Sequence, residues 1–372
     1  MLADLRAGAI RCVCLPAIGG QEAAAPQPMR TIGLLGAGAA ASLLSQALMF
    51  SVLPLAGRML APAPALAVAP FLALFIGAVV ATFPASILSD TFGRRAAFAL
   101  GASLGIAGGL VVAWGLIYAA FWPLAVGAFW IGTANGFALQ YRHIAAAGGK
   151  ADAARAAAIV IGAGALIGVV APTLAGIAES QLTPFLGAGS AIVAALAHVL
   201  ALAAALLLPA QDEIAAGRPA EARIAFADWL PPTLTAAAAW FAMMAAMAFA
   251  PVGLAGCGVG FTATVGVVAW HLVAMYAPAL ALPVSVERLG LRTVAGVGLA
   301  LSMVALLAMH LWPIASAIAL ALIGAGAGWS VATSAAVISL HRQSPGRIAI
   351  AAHDACMLAA GIAGAIVAGR WF

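Results

Sequence analysis

Long apolar stretches alternate with short polar or charged segments along most of the chain. Eleven stretches are candidate spans, since about twenty apolar residues in an α-helix cross roughly 30 Å of hydrocarbon. They lie at residues 31–55, 65–89, 96–118, 121–141, 156–178, 184–209, 232–256, 260–286, 291–312, 314–340 and 348–369. A membrane β-barrel would instead show segments of about ten residues with apolar and polar side chains in alternation. The pattern predicts an all-α integral membrane protein with about 11 transmembrane helices.

The composition agrees with a membrane protein and excludes several other classes. Hydrophobic residues make up 65% of the 372 residues, and charged residues make up 7%. A soluble domain usually has about 25% charged residues and needs them to cover its surface. The net charge of +5 comes from basic residues scattered singly through short loops, so it does not indicate nucleic-acid binding.

Basic residues predict the orientation of the chain in the membrane. With the N-terminus inside, fourteen of the 16 Lys and Arg residues fall in inner segments, and only Arg58 and Arg370 fall outside. Inner loops of membrane proteins carry this excess. We therefore expect a multi-pass protein of the cytoplasmic (inner) membrane, with the N-terminus inside and the C-terminus outside. Residues 1–29 are expected to be an N-terminal tail, with Met29 as a candidate functional start.

The chain contains an internal repeat that divides it into two halves. "SILSDTFGRR" (86–95) follows the second predicted span, and "PVSVERLGLR" (283–292) follows the eighth. The acid-x-x-Gly-x-Arg core recurs at an offset of 197 residues. The charged segment 210–231 is expected to be a cytoplasmic central loop. It would separate an N-terminal half of six helices (30–209) from a C-terminal half of five helices (232–372).

The first of these segments resembles the signature Gly-x-Leu-Ala-Asp-Arg-x-Gly-Arg-Arg of the major facilitator superfamily, between its second and third helices. The resemblance covers roughly residues 30–370 and includes segments similar to a poorly characterised bacterial branch, such as "YRHIAAA" (141–147). It implies a two-half helical bundle with a conformational latch in the repeated turns, formed by Asp90, Gly93, Arg94, Arg95, Glu287, Gly290 and Arg292. The alternative is that these charges only anchor the topology.

Other segments depart from the superfamily pattern. The superfamily norm is twelve helices, and the twelfth is expected to be missing here. "GVVAPTLAG" (168–176) resembles the fifth-span motif of proton-driven exporters, although Ala171 and Ala175 replace two of its glycines. In "GTANG" (132–136), Gly132 replaces the arginine of the fourth-span motif of those exporters. That arginine's role therefore cannot be assigned to this chain.

Ionisable residues inside the spans are candidate sites, because charges in hydrocarbon are costly. Asp354 is an acid well inside a span and is predicted to carry a coupling proton; the alternative is an acid favoured by its own helix N-terminus. His271, near the middle of the eighth span, is the second candidate, although it suits a packing role too. Further polar and aromatic residues are expected to face a central substrate cavity or to join helices: Gln46, Asn135, Gln140, Trp240, Tyr276 and Trp329.

The sequence therefore predicts a secondary transporter that moves a small organic molecule by alternating access, most simply by proton-coupled export. Its partners would be the substrate, protons and the lipid bilayer, with no nucleic acid. No cofactor or enzymatic activity is expected. "GAGAG" (324–328) lacks the Lys-Ser/Thr of a phosphate-binding loop. Two alternatives remain, a proton-coupled importer and a non-transporting membrane scaffold or assembly factor derived from a transporter.

Overall fold

The computed structural model describes residues 28–147, 150–209 and 224–368. These residues form fourteen α-helices: α1 (Met29–Leu60), α2 (Ala69–Thr91), α3 (Arg94–Ile117), α4 (Phe121–Ala138), α5 (Gln140–Ala146), α6 (Lys150–Gly162), α7 (Ala165–Gln181), α8 (Ala188–Leu206), α9 (Phe226–Gly256), α10 (Phe261–Tyr276), α11 (Leu282–Leu289), α12 (Leu291–Leu311), α13 (Ala315–His341) and α14 (Arg347–Ala368). The predicted tail up to residue 27, and the part of the central loop at 210–223, lie outside the described residues.

Within those ranges, ten helical segments are long and apolar enough to cross a membrane. They match ten of the eleven predicted spans, and α4, with 18 residues, occupies the place of the remaining one. The predicted all-α membrane bundle is thus confirmed. Since the chain crosses the membrane at each span, we call the side on which α1 begins the N-terminal face. The sequence predicts that this face is cytoplasmic.

Three of the predicted spans are interrupted rather than continuous. The fourth consists of α4 and α5, which meet at Leu139, and the fifth consists of α6 and α7, which meet at residues 163–164. The eighth consists of α10 and α11 with a 3₁₀ turn, Ala277–Ala281, between them. Pro278 lies in this turn, and proline disrupts the hydrogen bonding of an α-helix interior.

The central loop ends earlier than the sequence predicted. Helix α9 begins at Phe226 instead of 232, so Pro231 and Pro232 lie within its first two turns. Because only the first four amide groups of a helix lack a partner inside it, these two prolines interrupt the backbone hydrogen bonding of the second turn. The Trp229 indole also donates a hydrogen bond to the Ala349 carbonyl, over 2.9 Å, which fixes this first turn against α14.

The helices pack as two halves. In the first half, α2 packs on α4, and α3 packs on both α4 and α8, while α1 lies against α8. In the second half, α9 packs on α13 and α14, and α12 packs on α13. The halves meet where α2 contacts α14, where α7 contacts α10, and where α5 and α6 contact α13.

The repeated turns at the N-terminal face have nearly the same backbone geometry. Gly93 precedes α3 with φ 85° and ψ 153°, and Gly290 precedes α12 with φ 79° and ψ 151°. This combination of positive φ and extended ψ is essentially restricted to glycine. The two glycines of the sequence repeat therefore occupy equivalent turns in the two halves.

Candidate functional site

A cavity lies between the two halves in the middle of the bundle. Helices α1, α2, α4, α5 and α6 line one side, and α9, α10, α13 and α14 line the other. The empty space is about 940 Å³, a figure that includes the part open to solvent. Small-molecule sites usually lie in concave, mostly apolar spaces of this kind.

Aromatic rings form one wall of the cavity. The ring centroids of Trp240 and Trp329 are 5.4 Å apart at an interplanar angle of 74°. Tyr276 approaches Trp329 edge-on, at 5.8 Å and 87°. Phe50 lines the opposite half. Edge-to-face packing of this kind fixes the rings in place, so the cavity has a rigid aromatic surface for a flat ligand.

Polar atoms without partners also belong to the cavity-lining residues. Asn135 is 7% exposed, and neither atom of its side-chain amide has a hydrogen-bond partner among the described residues. The indole nitrogens of Trp240 and Trp329 and the hydroxyl of Ser334 are likewise unpaired there. Buried polar groups usually have partners. Among the described residues, these four groups are therefore unsatisfied polar groups on residues that line the cavity.

An ion-pair cluster lies between the cavity and the N-terminal face. Arg142 Nη2 is 2.6 Å from Asp354 Oδ1, so α5 of the first half is tied to α14 of the second. His143 Nε2 lies 2.9 Å and 3.0 Å from the two oxygens of the same carboxylate. His143 Nδ1 is 3.0 Å from Nε2 of His341, at the end of α13. All three contacts cross the interface between the halves.

The predicted cavity residues are mostly where the sequence placed them. Gln46, Asn135, Trp240, Tyr276 and Trp329 all line the cavity. Gln140 is buried but is not part of the lining. A position in the lining does not test contact with a substrate. The role of these residues therefore stays a prediction.

The two predicted proton-coupling residues have different surroundings. Asp354 is fully buried in the cluster between the halves. His271 is also fully buried, but it lies between α10 and α13 and is not part of the cavity lining. Its Nδ1 is 2.7 Å from the Leu322 carbonyl oxygen, to which it donates. The packing role suits His271 better than a role in coupling, which remains untested.

The predicted latch residues lie at the N-terminal face, away from this cluster. Arg95, Glu287 and Arg292 are exposed, and none forms an ion pair with a side chain that the structure describes. Arg94 is buried. The side chain of Asp90 lies outside the description. A latch at these turns stays a prediction, and the described ionic contact between the halves is made elsewhere.

Sequence reasoning missed the partners of Asp354. Arg142 and His143 lie in "YRHIAAA", which the sequence analysis used only for family resemblance and for topology. His341 lies next to Arg342 at the end of the tenth span. A usable signal existed, because His143 and His341 are 198 residues apart, close to the repeat offset of 197. Ionisable residues at equivalent helix ends of two halves are good candidates for contact across the interface.

Solved structures of similar fold show which architecture the chain shares. The human organic anion transporter MFSD10 (TETRAN) superposes with a TM-score of 0.65 at 14% identity, over 92% of this chain and 95% of that chain. The major facilitator superfamily transporter FucP, in its outward conformation, gives a TM-score of 0.64 at 15% identity, covering 90% and 89%. The proton:xylose symporter XylE gives 0.65 at 12% identity, covering 91% and 87%. The chain therefore has the major facilitator superfamily fold, as its motifs predicted.

A sequence relative agrees with this class. The riboflavin transporter RfnT of Brucella anthropi is 27% identical over 346 residues, which cover 88% of this chain and 85% of the relative. No protein-family model matches the chain. The fold and this relative together support a multi-pass membrane transporter of the major facilitator superfamily.

Proposed function

We propose that the protein is a secondary transporter that carries a small planar heteroaromatic molecule of the flavin type by alternating access. The observation that carries this proposal is the cavity between the halves, with its aromatic wall and its unpartnered polar groups. A site near the bilayer midplane at the interface of two repeated halves is typical of secondary transporters. The name of the relative RfnT suggests riboflavin as the first molecule to test.

The cavity chemistry suits a flavin better than a sugar or an inorganic ion. An isoalloxazine ring is flat and apolar on its faces, so Trp240, Trp329 and Tyr276 can pack against it. Its edge carries carbonyl and imide groups, which match the donor and acceptor atoms of the Asn135 amide. A sugar would require many more hydrogen-bonding groups than this largely apolar cavity offers.

Binding and transport of riboflavin by the purified protein test the proposal. Titration of riboflavin should quench its fluorescence, because stacking on tryptophan quenches flavin emission, and proteoliposomes should take up labelled riboflavin. Trp329→Ala should weaken binding at least about tenfold, the equivalent of ~1.4 kcal/mol. Trp312→Ala is the matched control, since Trp312 is exposed at a helix end outside the cavity. Equal losses in both variants, or no binding by the parent, would refute the substrate class.

The direction and coupling of transport form a separate part of the proposal. The exporter-like motif around Pro172 supports proton-coupled export, although two of its glycines are replaced. A carrier without its own energy source works in either direction, so the imposed gradients determine net flux. Flux in vesicles with either sign of pH gradient distinguishes export from import. Movement of substrate out of the vesicle, against its own gradient and driven by protons that flow in, supports export. Movement of substrate and protons in the same direction supports import instead.

The same experiment addresses the scaffold alternative. A scaffold would neither bind riboflavin nor exchange it across a vesicle membrane. The cavity lined by both halves favours the transporter, because a scaffold does not need a solvent-connected chamber with unpaired polar groups.

A further inference from the structure

The breaks in the fifth and eighth spans lie against each other across the interface. The fifth span breaks where α6 meets α7, and the eighth breaks after Tyr276, the last residue of α10. Glycines of the fifth span leave room for this part of the eighth. A Cβ on Gly162 would overlap the Leu280 side chain, and a Cβ on Gly168 would lie 2.8 Å from the backbone nitrogen of Val273. At these positions the two spans pack with no space for a methyl group between them.

Gly164 lies at the break itself, directly behind the aromatic wall of the cavity. A Cβ at this position would lie 2.6 Å from Cγ of Tyr276 and 2.8 Å from Cδ1 of Leu43. Both of these residues line the cavity, whereas Gly164 does not. Non-bonded carbon atoms prefer a separation of about 3.5–4.0 Å. The Tyr276 ring can therefore occupy its place in the wall only because residue 164 has no side chain.

The backbone does not require glycine at this position. Gly164 has φ −62° and ψ −22°, a right-handed helical conformation that alanine adopts without strain. Rotation of the Tyr276 ring about χ2 would not relieve an overlap with a methyl group at 164, because Cγ lies on that rotation axis. The whole ring would have to move. Since Trp329 packs edge-on beside it, with ring centroids 5.8 Å apart, the nearest open space for the ring is the cavity.

We propose that Gly164 is a specificity-determining position of the transport site, because it sets the place of Tyr276 and with it the width of the space beside the aromatic wall. The inference rests on the proposed transport of a flavin-type ligand. It assigns selection by ring number to a residue outside the cavity lining. With glycine at 164 the site admits three fused rings, and with a methyl group there the displaced Tyr276 leaves room for two.

Gly162, two residues earlier in the chain, provides the matched comparison. Its Cβ would meet the Leu280 side chain, which is 54% exposed and does not line the cavity. Leu280 can therefore adopt another rotamer on the outer surface of the bundle. Gly162→Ala thus adds the same methyl group beside the same break, but the neighbour that gives way is not part of the aromatic wall.

Two flavin-type ligands measure the width of the site. Riboflavin and dimethyl-ribityllumazine share the ribityl chain and the pyrimidinedione edge and differ by one fused ring. Gly164→Ala should weaken riboflavin binding about tenfold, as overpacking by a methyl group does, and should change lumazine binding by less than about twofold. Gly162→Ala should leave both affinities close to those of the parent. Equal losses for both ligands in Gly164→Ala, or no loss for riboflavin, would overturn selection by ring number.

A Tyr276→Ala background identifies the neighbour through which the methyl group acts. Loss of the ring weakens binding by itself, but Gly164→Ala should then cost less than about twofold more, because the atoms that it would overlap are gone. A further loss of about tenfold in this background would contradict the inference. If Gly164→Ala does not fold, Leu43→Ala/Gly164→Ala removes the other close contact and should show the same loss for riboflavin. If the alanine at 164 is tolerated only without the Tyr276 ring, Gly164 serves folding, and the specificity role is wrong.

A second measurement of the width needs no flavin. Ser334→Cys, in a variant without the native cysteines, places a thiol in the cavity lining with little change in side-chain size. Its rate of reaction with benzyl methanethiosulfonate, divided by that with methyl methanethiosulfonate, reports whether an aromatic ring fits beside the wall. Gly164→Ala should lower this ratio about tenfold, and Gly162→Ala should leave it unchanged.

The two measurements separate this inference from the proposed substrate. A lowered ratio in Gly164→Ala, with no binding of either ligand by the parent, would reject the flavin class and keep Gly164 as the residue that sets the width of the cavity. An unchanged ratio would reject the inference even if riboflavin is transported. A ratio that falls equally in Gly162→Ala would also reject it, because any added methyl group at the break would then have the same effect.

Discussion

At the scale of single residues, the ionic contact between Arg142 and Asp354 joins α5 of the first half to α14 of the second. The carboxylate is completely shielded, and the arginine side chain is 10% exposed. Desolvation of two charges offsets much of their attraction, so such a pair contributes little net stability compared with an apolar contact. Removal of only one of the two charges is nevertheless costly, because the remaining charge is then buried without a partner or water. The pair therefore joins the two halves with good geometry while adding little net stability.

A double-mutant cycle tests this energetic asymmetry. Arg142→Gln or Asp354→Asn alone should lower the free energy of unfolding by roughly 3–5 kcal/mol, since each leaves one buried charge. The double variant should lose less than either single variant. Thermal unfolding in detergent, with substrate absent, measures all three against the parent. Additive losses would mean that the two side chains act independently and would contradict the pairing.

Asn135 offers a second test at this scale. Its amide lines the cavity and has no described partner, so Asn135→Ala should leave folding nearly unchanged but weaken riboflavin binding about tenfold, by ~1.4 kcal/mol. The matched control is Ser330→Ala. Ser330 is also buried and unpaired among the described residues, but it does not line the cavity. Titration of flavin fluorescence compares the two. Equal affinity in the Asn135 variant and the parent would remove this amide from the site.

The sequence revealed Asp354 but not its partners, and the reason is physical. An acid deep in an apolar span is unusual and attracts notice by itself. Arg142 and His143 lie at the end of a span, where basic residues normally indicate only topology. Their contact with Asp354 depends on the packing of α5 against the second half, because α5 continues past the predicted end of the fourth span. One-dimensional patterns contain no information on this continuation.

At the scale of helices, close approach explains a departure from the exporter motif. Gly132 replaces the motif arginine, and a Cβ at this position would lie 1.8 Å from the Leu74 carbonyl oxygen of α2. A Cβ on Gly77 of α2 would likewise lie 2.1 Å from the Phe129 carbonyl oxygen of α4. The two glycines allow α2 and α4 to cross with their backbones in contact. An arginine at position 132 would thus require the two helices to separate.

The turn before α12 provides a prediction at this scale. Gly290→Ala should destabilise the protein by about 1–3 kcal/mol, because alanine is strained at the observed φ and ψ. Gly296→Ala, one and a half turns into the same helix, is the matched control. Its Cβ would meet no atom within 4 Å, and alanine favours a helix interior by about 0.5–1 kcal/mol over glycine. Unfolding midpoints should therefore shift in opposite directions; a shared direction would argue against the strained turn.

At the scale of the whole molecule, most of the fold followed from the sequence, since twenty-residue apolar segments leave few alternatives in a membrane. Hydropathy predicted the eleven spans. The internal repeat predicted the division into halves and the paired turns of Gly93 and Gly290. The interruptions of the fourth, fifth and eighth spans were not predicted. Those breaks occur inside apolar sequence, where hydropathy does not distinguish a straight helix from a kinked one. They matter because α5, α6 and the 3₁₀ turn position the residues at the interface.

Rocking of the two halves as rigid bodies makes a prediction about cross-links. Ser86 of α2 and Arg347 of α14 touch across the interface, where the Ser86 hydroxyl lies 3.1 Å from the Arg347 carbonyl oxygen. A short bifunctional thiol reagent on Ser86→Cys/Arg347→Cys should hold the N-terminal face closed and reduce riboflavin flux by about tenfold or more, because the central site then opens to one side only. Reductive cleavage of the link should restore the flux.

The matched control joins two helices of one half. Trp229 of α9 and Ala349 of α14 are in contact within the second half, so the same reagent on Trp229→Cys/Ala349→Cys should leave flux close to that of the unlinked variant. Labelled riboflavin exchange in proteoliposomes, with cross-linking verified by mass spectrometry, gives both values. If both links inhibit equally, helices within a half must move relative to each other, and rigid-body rocking is wrong. If neither inhibits, the contact between α2 and α14 does not separate during transport, and the opening must occur elsewhere along the interface.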